Sequence, residues 1–199
     1  MRRRQVILSL AGAAGAVAFT LGLGAWRTRD RAAPNPLLPL PLASMDWSLT
    51  DHLSQNVTPA DWLGRPAMVF FGFTYCPDVC PTTLLDIADW LEDLGPDADK
   101  LTVALISVDP ERDTPDALAD YVSNFDPRII GLTGSLDAIA ETATDFRVRF
   151  EKMPAGDGDY TMNHTAGVFL FHADGRFASI IDFHEDRRFA VPKIRRILA

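Results

Sequence analysis

Apolar residues fall along this chain in three patterns: one long uncharged run, short continuous runs, and stretches spaced for a helix face. Ala67–Phe73 and Leu101–Val108 are continuous runs of the length expected for strands buried on both faces. Between them Leu84, Ile87, Ala88 and Leu91 recur at i, i+3, i+4 and i+7, one face of a helix ending near Gly95-Pro96. Strand, helix and strand in this order predict a right-handed parallel βαβ unit. Thr114 as cap and Pro115 at the first helical position open a second helix, with Leu118, Tyr121, Val122 and Phe125 on one face. Ile129 to Leu132 reads as a short strand, and Leu136, Ile139, Ala140 and Ala143 as a third helix. Ala166–Phe171 and Phe177–Phe183 flank Ala173-Asp174-Gly175-Arg176, and Asp-Gly between apolar runs predicts a β-hairpin. A closing helix is expected near Val191–Leu198, with Pro192 in its first turn because an interior proline costs about 3 kcal/mol. Ahead of the βαβ unit, Met45–Val57 predicts a short hairpin whose apolar positions are Trp47, Leu49 and Val57.

The long run, Gln5 to Trp26, has 22 residues without a charge. At about 1.5 Å per residue it makes roughly 33 Å of helix, enough to cross a hydrocarbon core of about 30 Å. Residues 1–31 are therefore expected to be a signal anchor. A cleaved signal peptide is the competing reading, with Arg2-Arg3-Arg4 as its basic segment and Ala14-Gly15-Ala16 or Ala16-Val17-Ala18 as the cut, and the arginines also allow twin-arginine export. The run is longer than the ~7–15 apolar residues of a signal peptide, which favours the anchor. Residues 32–44 carry Pro34, Pro36, Pro39 and Pro41 and read as an extended linker, leaving 45–199 as the domain.

Charge separates the two regions. The whole chain has a formal net charge of −8, but from Ala32 onward 13 basic residues face 26 acidic ones. A body this acidic excludes nucleic acid as a partner for its surface, and suits a metal cation or a basic partner.

The chain has two cysteines, Cys76 and Cys80, where the first buried strand runs into its helix. Pro81 suits the first helical position, since its missing N–H would have no intrahelical partner there, making Cys80 the N-cap. Free N–H groups and the helix dipole then favour thiolate, against the charge of the intervening Asp78. Two thiolates alone leave a structural disulfide, a redox disulfide and a metal site all open. A mixed sheet flanked by helices, with the dithiol beyond the carboxyl end of a strand, is the thioredoxin-like α/β layout, here with an N-terminal hairpin and membrane anchor added.

Four segments together resemble the SCO/SenC family of copper proteins that assemble cytochrome c oxidase: Phe70-Phe71-Gly72-Phe73-Thr74-Tyr75-Cys76-Pro77-Asp78-Val79-Cys80-Pro81, Val108-Asp109-Pro110-Glu111-Arg112-Asp113-Thr114-Pro115, Gly131-Leu132-Thr133-Gly134 and Tyr160-Thr161-Met162-Asn163-His164-Thr165-Ala166. The resemblance runs from about Pro39 to the end. It implies a thioredoxin-like fold on an N-terminal membrane anchor, facing the periplasm from the cytoplasmic membrane. It also implies one copper, Cu(I) or Cu(II), held by Cys76, Cys80 and His164. The partner implied is the copper-receiving subunit of cytochrome c oxidase or another copper chaperone. Thiolates select Cu(I) and imidazole accepts either oxidation state, so the residue chemistry agrees. Asn163 stands where the family usually has Asp, which removes a carboxylate next to the ligand histidine.

The remaining candidates have structural readings. His52, His172 and His184 are expected on the surface or in turns, and Met45, Met153 and Met162 as filler rather than thioether ligands. Asp78, Asp109 and Asp113 are expected to shape turns rather than hold cations, and Glu111-Arg112-Asp113 reads as a solvated loop. The alternative function is a thiol-disulfide oxidoreductase using Cys76 and Cys80 to keep cysteines of the oxidase copper site reduced. Exchange enzymes of the thioredoxin type resemble one another in a proline before the strand facing the dithiol; this chain has His164-Thr165 there, which favours a non-catalytic metal carrier. A thiol peroxidase ranks third, for want of a lone peroxidatic cysteine in its P-x-x-x-T-x-x-C frame.

Overall fold

The computed structural model describes residues 35–199 apart from Asp157. The uncharged run from Gln5 to Trp26 lies outside the described residues, and among these no helix is long and apolar enough to cross a membrane. Leu37–Ala199 form one compact unit.

Its frame is a seven-stranded mixed sheet. Strands β1 (Leu49–Asp51), β2 (Asn56–Val57), β3 (Ala67–Gly72), β4 (Thr102–Ser107), β5 (Ile129–Thr133), β8 (Val168–Phe171) and β9 (Phe177–Ile181) lie in the order β2-β1-β5-β4-β3-β8-β9. β3, β4 and β5 are parallel, and antiparallel neighbours close both sides: β1 beside β5, β8 beside β3. Every residue of β3 and β4 is buried, as their continuous apolarity requires. Four helices connect or flank the strands: α1 (Val79–Leu94), α2 (Pro115–Val122), α3 (Leu136–Phe146) and α4 (Arg187–Leu198). This is the expected thioredoxin-like α/β layout, with the Met45–Val57 hairpin joined to the sheet edge through β1. On one face Phe146 of α3 sits edge-on to Phe71, Phe169 and Phe171. On the other face Gly72 lets α1 approach, because a Cβ there would stand 3.1 Å from the Cys80 sulfur and 2.9 Å from Phe70.

Five expectations need correction. Helix α1 starts at Val79, so its N-cap is Asp78 and Pro81 is its third residue. All first-turn N–H groups lack helical partners, so proline is tolerated there too. Helix α4 starts at Arg187, where Asp186 accepts from the Arg188 N–H, and Pro192 lies inside it. Burial of Ala190, Ile194 and Ile197, with Arg187 paired to Asp93 of α1, offsets the lost hydrogen bond. In α3 the buried face is Ile139, Thr142, Ala143 and Phe146, while Leu136 and Ala140 are exposed. An unforeseen hairpin, β6 (Phe150–Gly156) and β7 (Asp159–His164), forms a separate two-stranded sheet.

The fifth correction is the linker, which is docked rather than extended from Pro39 onward. Pro39 and Leu42 are buried, and the Leu42 N–H donates to the Gly175 carbonyl at 2.9 Å. Gly175, at φ +80°, makes the β8–β9 turn, and a Cβ on it would lie 3.2 Å from that of Leu42. Leu42 has no exposed surface. Leu42→Ala is therefore expected to lower unfolding stability by about 2–5 kcal/mol, read as a fall in urea midpoint at unchanged slope. A change under about 0.5 kcal/mol would mean the segment is not part of the core.

Candidate metal centre

Cys76 lies half-buried in the loop after β3, and Cys80, fully buried, is the second residue of α1. The helix geometry brings the Cys80 N–H to the Cys76 sulfur at 3.4 Å. From 84 residues away along the chain, His164 at the end of β7 puts Nε2 3.4 Å from the Cys80 sulfur. Its Nδ1 is 3.0 Å from the Thr165 carbonyl oxygen, which can only accept; Nδ1 therefore carries the proton and Nε2 turns a lone pair to the thiols. Phe70 and Phe73 meet the imidazole edge-on and hold its plane. The three residues selected from the sequence thus come together.

The two thiols are unequal. A hydrogen bond from the Cys80 thiol lowers Cys76 to about 4 against the opposing effect of burial, and the nearby His164 and the Cys80 main-chain N–H add to the lowering. Cys80, which keeps that proton beside the Cys76 sulfur and is buried, is pushed up. The thiolate is thus at Cys76 in the loop, where it accepts from the Cys80 N–H at the helix start, and the thiol is at Cys80.

A buried carboxylate underlies the cysteine loop. Asp113 accepts from the Thr74 N–H at 3.1 Å, the Thr74 hydroxyl at 2.6 Å and the Ser107 hydroxyl at 2.5 Å. Asp109, also buried, accepts from the Tyr160 hydroxyl at 2.9 Å and from Arg112. Neither is a turn residue alone, and the Glu111-Arg112-Asp113 segment is not simply solvated: Glu111 is exposed, Arg112 half-buried and Asp113 buried. Sequence patterns could not find Arg112, whose partners Tyr75 and Tyr160 lie far from it along the chain.

The other candidates stay outside. His52 Nδ1 accepts from the Gly131 N–H at 3.0 Å, and His184 lies against Phe183. Met45 accepts from the Trp47 indole, Met153 is exposed and Met162 packs on the core. Asp78 is exposed. Asn163 is exposed opposite Glu151 of β6, so an aspartate there would stand at the surface.

Two sulfurs and an imidazole nitrogen are a soft donor set of the kind that takes copper or zinc. Ligands bonded at about 2.0–2.3 Å to one ion in a trigonal plane lie roughly 3.7 Å apart, close to the Cys80–His164 spacing. Among the described residues no three His, Cys, Asp or Glu side chains are already closed into a metal cluster. The residues fit such an ion.

Fold and site together define a thioredoxin-like protein whose dithiol faces an imidazole. The comparisons make this more specific: the SCO1/SenC family model matches residues 39–199, and the chain belongs to that family. It is 39% identical over 155 residues to the human "Protein SCO1 homolog, mitochondrial", covering 76% of this chain and 50% of that protein. The mouse "Protein SCO2 homolog, mitochondrial" is 34% identical over 205 residues, covering 100% of this chain and 80% of the relative. Among solved structures, Bradyrhizobium japonicum ScoI with copper bound superposes at a TM-score of 0.71 with 45% identity, covering 76% of this chain and 96% of that one. The chain thus spans about half the length of the human relative.

The thiol asymmetry predicts how the metal-free protein reacts. Because the Cys76 acidity is raised, its thiolate persists above a pH of about 4 and is lost as pH falls through that value. Iodoacetamide at pH 6 should label Cys76 and spare Cys80, with a rate nearly flat from pH 6 to 8. Labelling at Cys80, or a rate still rising through pH 8 to 9 as for a free thiol, would contradict this.

Proposed function

We propose that the protein is a membrane-anchored copper carrier that delivers the ion to the copper centre of cytochrome c oxidase during its assembly. It binds one copper per chain through Cys76, Cys80 and His164. The observation that carries this reading is the 3.4 Å approach of the His164 nitrogen to the Cys80 sulfur, beside a second sulfur. The copper-bound relative at 45% identity supports it.

The ligand set explains why cargo can be both held and released. Two thiolates and a neutral imidazole give a site charge of −1 with Cu(I) and zero with Cu(II), so neither ion leaves a large uncompensated charge. Thiolates hold Cu(I), and the imidazole is needed once the ion is Cu(II). Cys76 is the accessible ligand, so an acceptor's own ligands approach from its side. A disulfide between Cys76 and Cys80 consumes both thiolates and ends tight binding.

The segment from Gln5 to Trp26 serves as a single-pass anchor in the cytoplasmic membrane, with the domain on the periplasmic side. A chain starting at Ala33 is then expected to stay soluble without detergent; its aggregation would mean the segment does more than anchor.

A second reading, reduction of disulfides in the oxidase copper site, is favoured by the thiol asymmetry. Cys76 as thiolate would attack a partner disulfide, forming a mixed disulfide and releasing one partner thiolate. Cys80, losing its proton, would then attack Cys76, releasing the second partner thiol and leaving Cys76–Cys80 oxidised.

His164 separates the two readings. Copper titration of the reduced protein should give one ion per chain, with Cu(II) showing sulfur-to-copper charge-transfer bands that disappear in Cys76→Ser and Cys80→Ser. In copper-limited cells His164→Ala should lose oxidase activity nearly as fully as Cys76→Ser, and added copper should restore part of it. A His164→Ala strain respiring normally beside a failing Cys76→Ser strain would favour the reductase, since imidazole is not required to attack a disulfide.

A further inference from the structure

Hairpin β6–β7 shares no ladder with the seven-stranded sheet. The distance of His164 from the thiols is therefore set by the short link of residues 165–167 into β8 and by side-chain ties, and not by a ladder to the central sheet. Tyr160, Met162 and His164 share one face of β7 by the strand period of two. Tyr160 is held on that face by the segment 109–113.

Arg112 is the most enclosed of these ties. Its side chain is 17% exposed and is paired with Asp109, whose side chain is 3% exposed. Nη1 donates to the Tyr160 carbonyl at 3.1 Å, and the guanidinium carbon lies 3.8 Å from the Tyr160 ring centroid. Its second aromatic neighbour is the ring of Tyr75, 4.6 Å from the same carbon and adjacent in sequence to Cys76. Nη2 is buried without a partner among the described residues, so stacking and the Asp109 pair set the position of the group, not satisfaction of every donor. The neighbouring pair of Lys152 with Glu111 is 2.7 Å long but 47% and 59% exposed, hence screened and weak. A planar guanidinium can stack on two rings and bond in its own plane at once, which an ammonium cannot do.

We propose that Arg112 is a positioning residue of the copper site: clasped between Tyr75 and Tyr160, it latches the His164 hairpin to the Cys76 loop and fixes the spacing of the imidazole from the dithiol. This rests on Cys76, Cys80 and His164 being the copper ligands. The latch itself is a property of the metal-free protein, so it can be read without copper.

The test uses the full chain in detergent micelles, as wild type, Arg112→Ala, Arg112→Lys and Tyr160→Leu, the last leaving the Asp109–Arg112 pair in place. Without metal, amide hydrogen exchange over Asp159–His164 should quicken at least tenfold in each variant, while β3 and β4 keep wild-type protection. With Cu(II), the sulfur-to-copper charge-transfer bands should shift and affinity fall tenfold or more, and lysine should restore neither. If Arg112→Ala does not fold, Tyr160→Leu decides by the same two measurements. Wild-type exchange in the hairpin of a folded variant overturns the latch, and so does faster exchange with an unchanged copper spectrum. Should the wild-type protein lack bands that depend on Cys76, the copper reading fails by itself, and the exchange measurement alone then upholds or overturns the latch.

Discussion

The hydrogen bonds to Asp113 hold the site together. This fully buried carboxylate takes the main-chain N–H and hydroxyl of Thr74 and the hydroxyl of Ser107, joining the end of β4 to the loop that carries Cys76. Burial alone pushes the carboxyl up, and these donors pull against it, so the charge is tolerable only with the loop in place. Removing one partner of such a network leaves the rest desolvated and unpaired. The cysteine loop is therefore tied to the sheet by a polar network, although nearly everything beneath it is hydrocarbon.

Above this fixed half lies a more independent one. Strand β6 is exposed along nearly all its length and β7 is mostly half-buried; the two form their own small sheet, yet β7 delivers the imidazole. Phe70 and Phe73 of the fixed half meet that ring, so its packing belongs to the core while its backbone does not. The site thus draws two ligands from the sheet-anchored half and the third from a hairpin joined to it through side chains.

What was legible in the sequence follows from this division. Strands β3 and β4 could be read because both their faces are buried and the apolar run is unbroken. Cys76 and Cys80 stood out by their place at a strand–helix junction, but His164 could be joined to them only through resemblance to a family, since no spacing rule links a histidine to a cysteine 84 residues away. Hairpin β6–β7 was missed because Glu151-Lys152-Met153-Pro154 has no buried face to impose alternation. The start of α1 was misplaced by two residues because any first-turn position accepts a proline. Arg112 stayed hidden because charged residues in a loop look solvated until the fold brings two tyrosines to them.

Gly72 has one more consequence. By letting strand and helix close on the Cys80 sulfur, it leaves the pair with one wet sulfur and one dry one. An oxidant such as peroxide can reach only Cys76, converting its thiolate to a sulfenic acid. The Cys80 sulfur, held against it with its proton available, condenses with that group and expels water, giving a disulfide. The packing of a single glycine thus steers oxidative damage into a form that a reductant can reverse, and away from the irreversible higher acids.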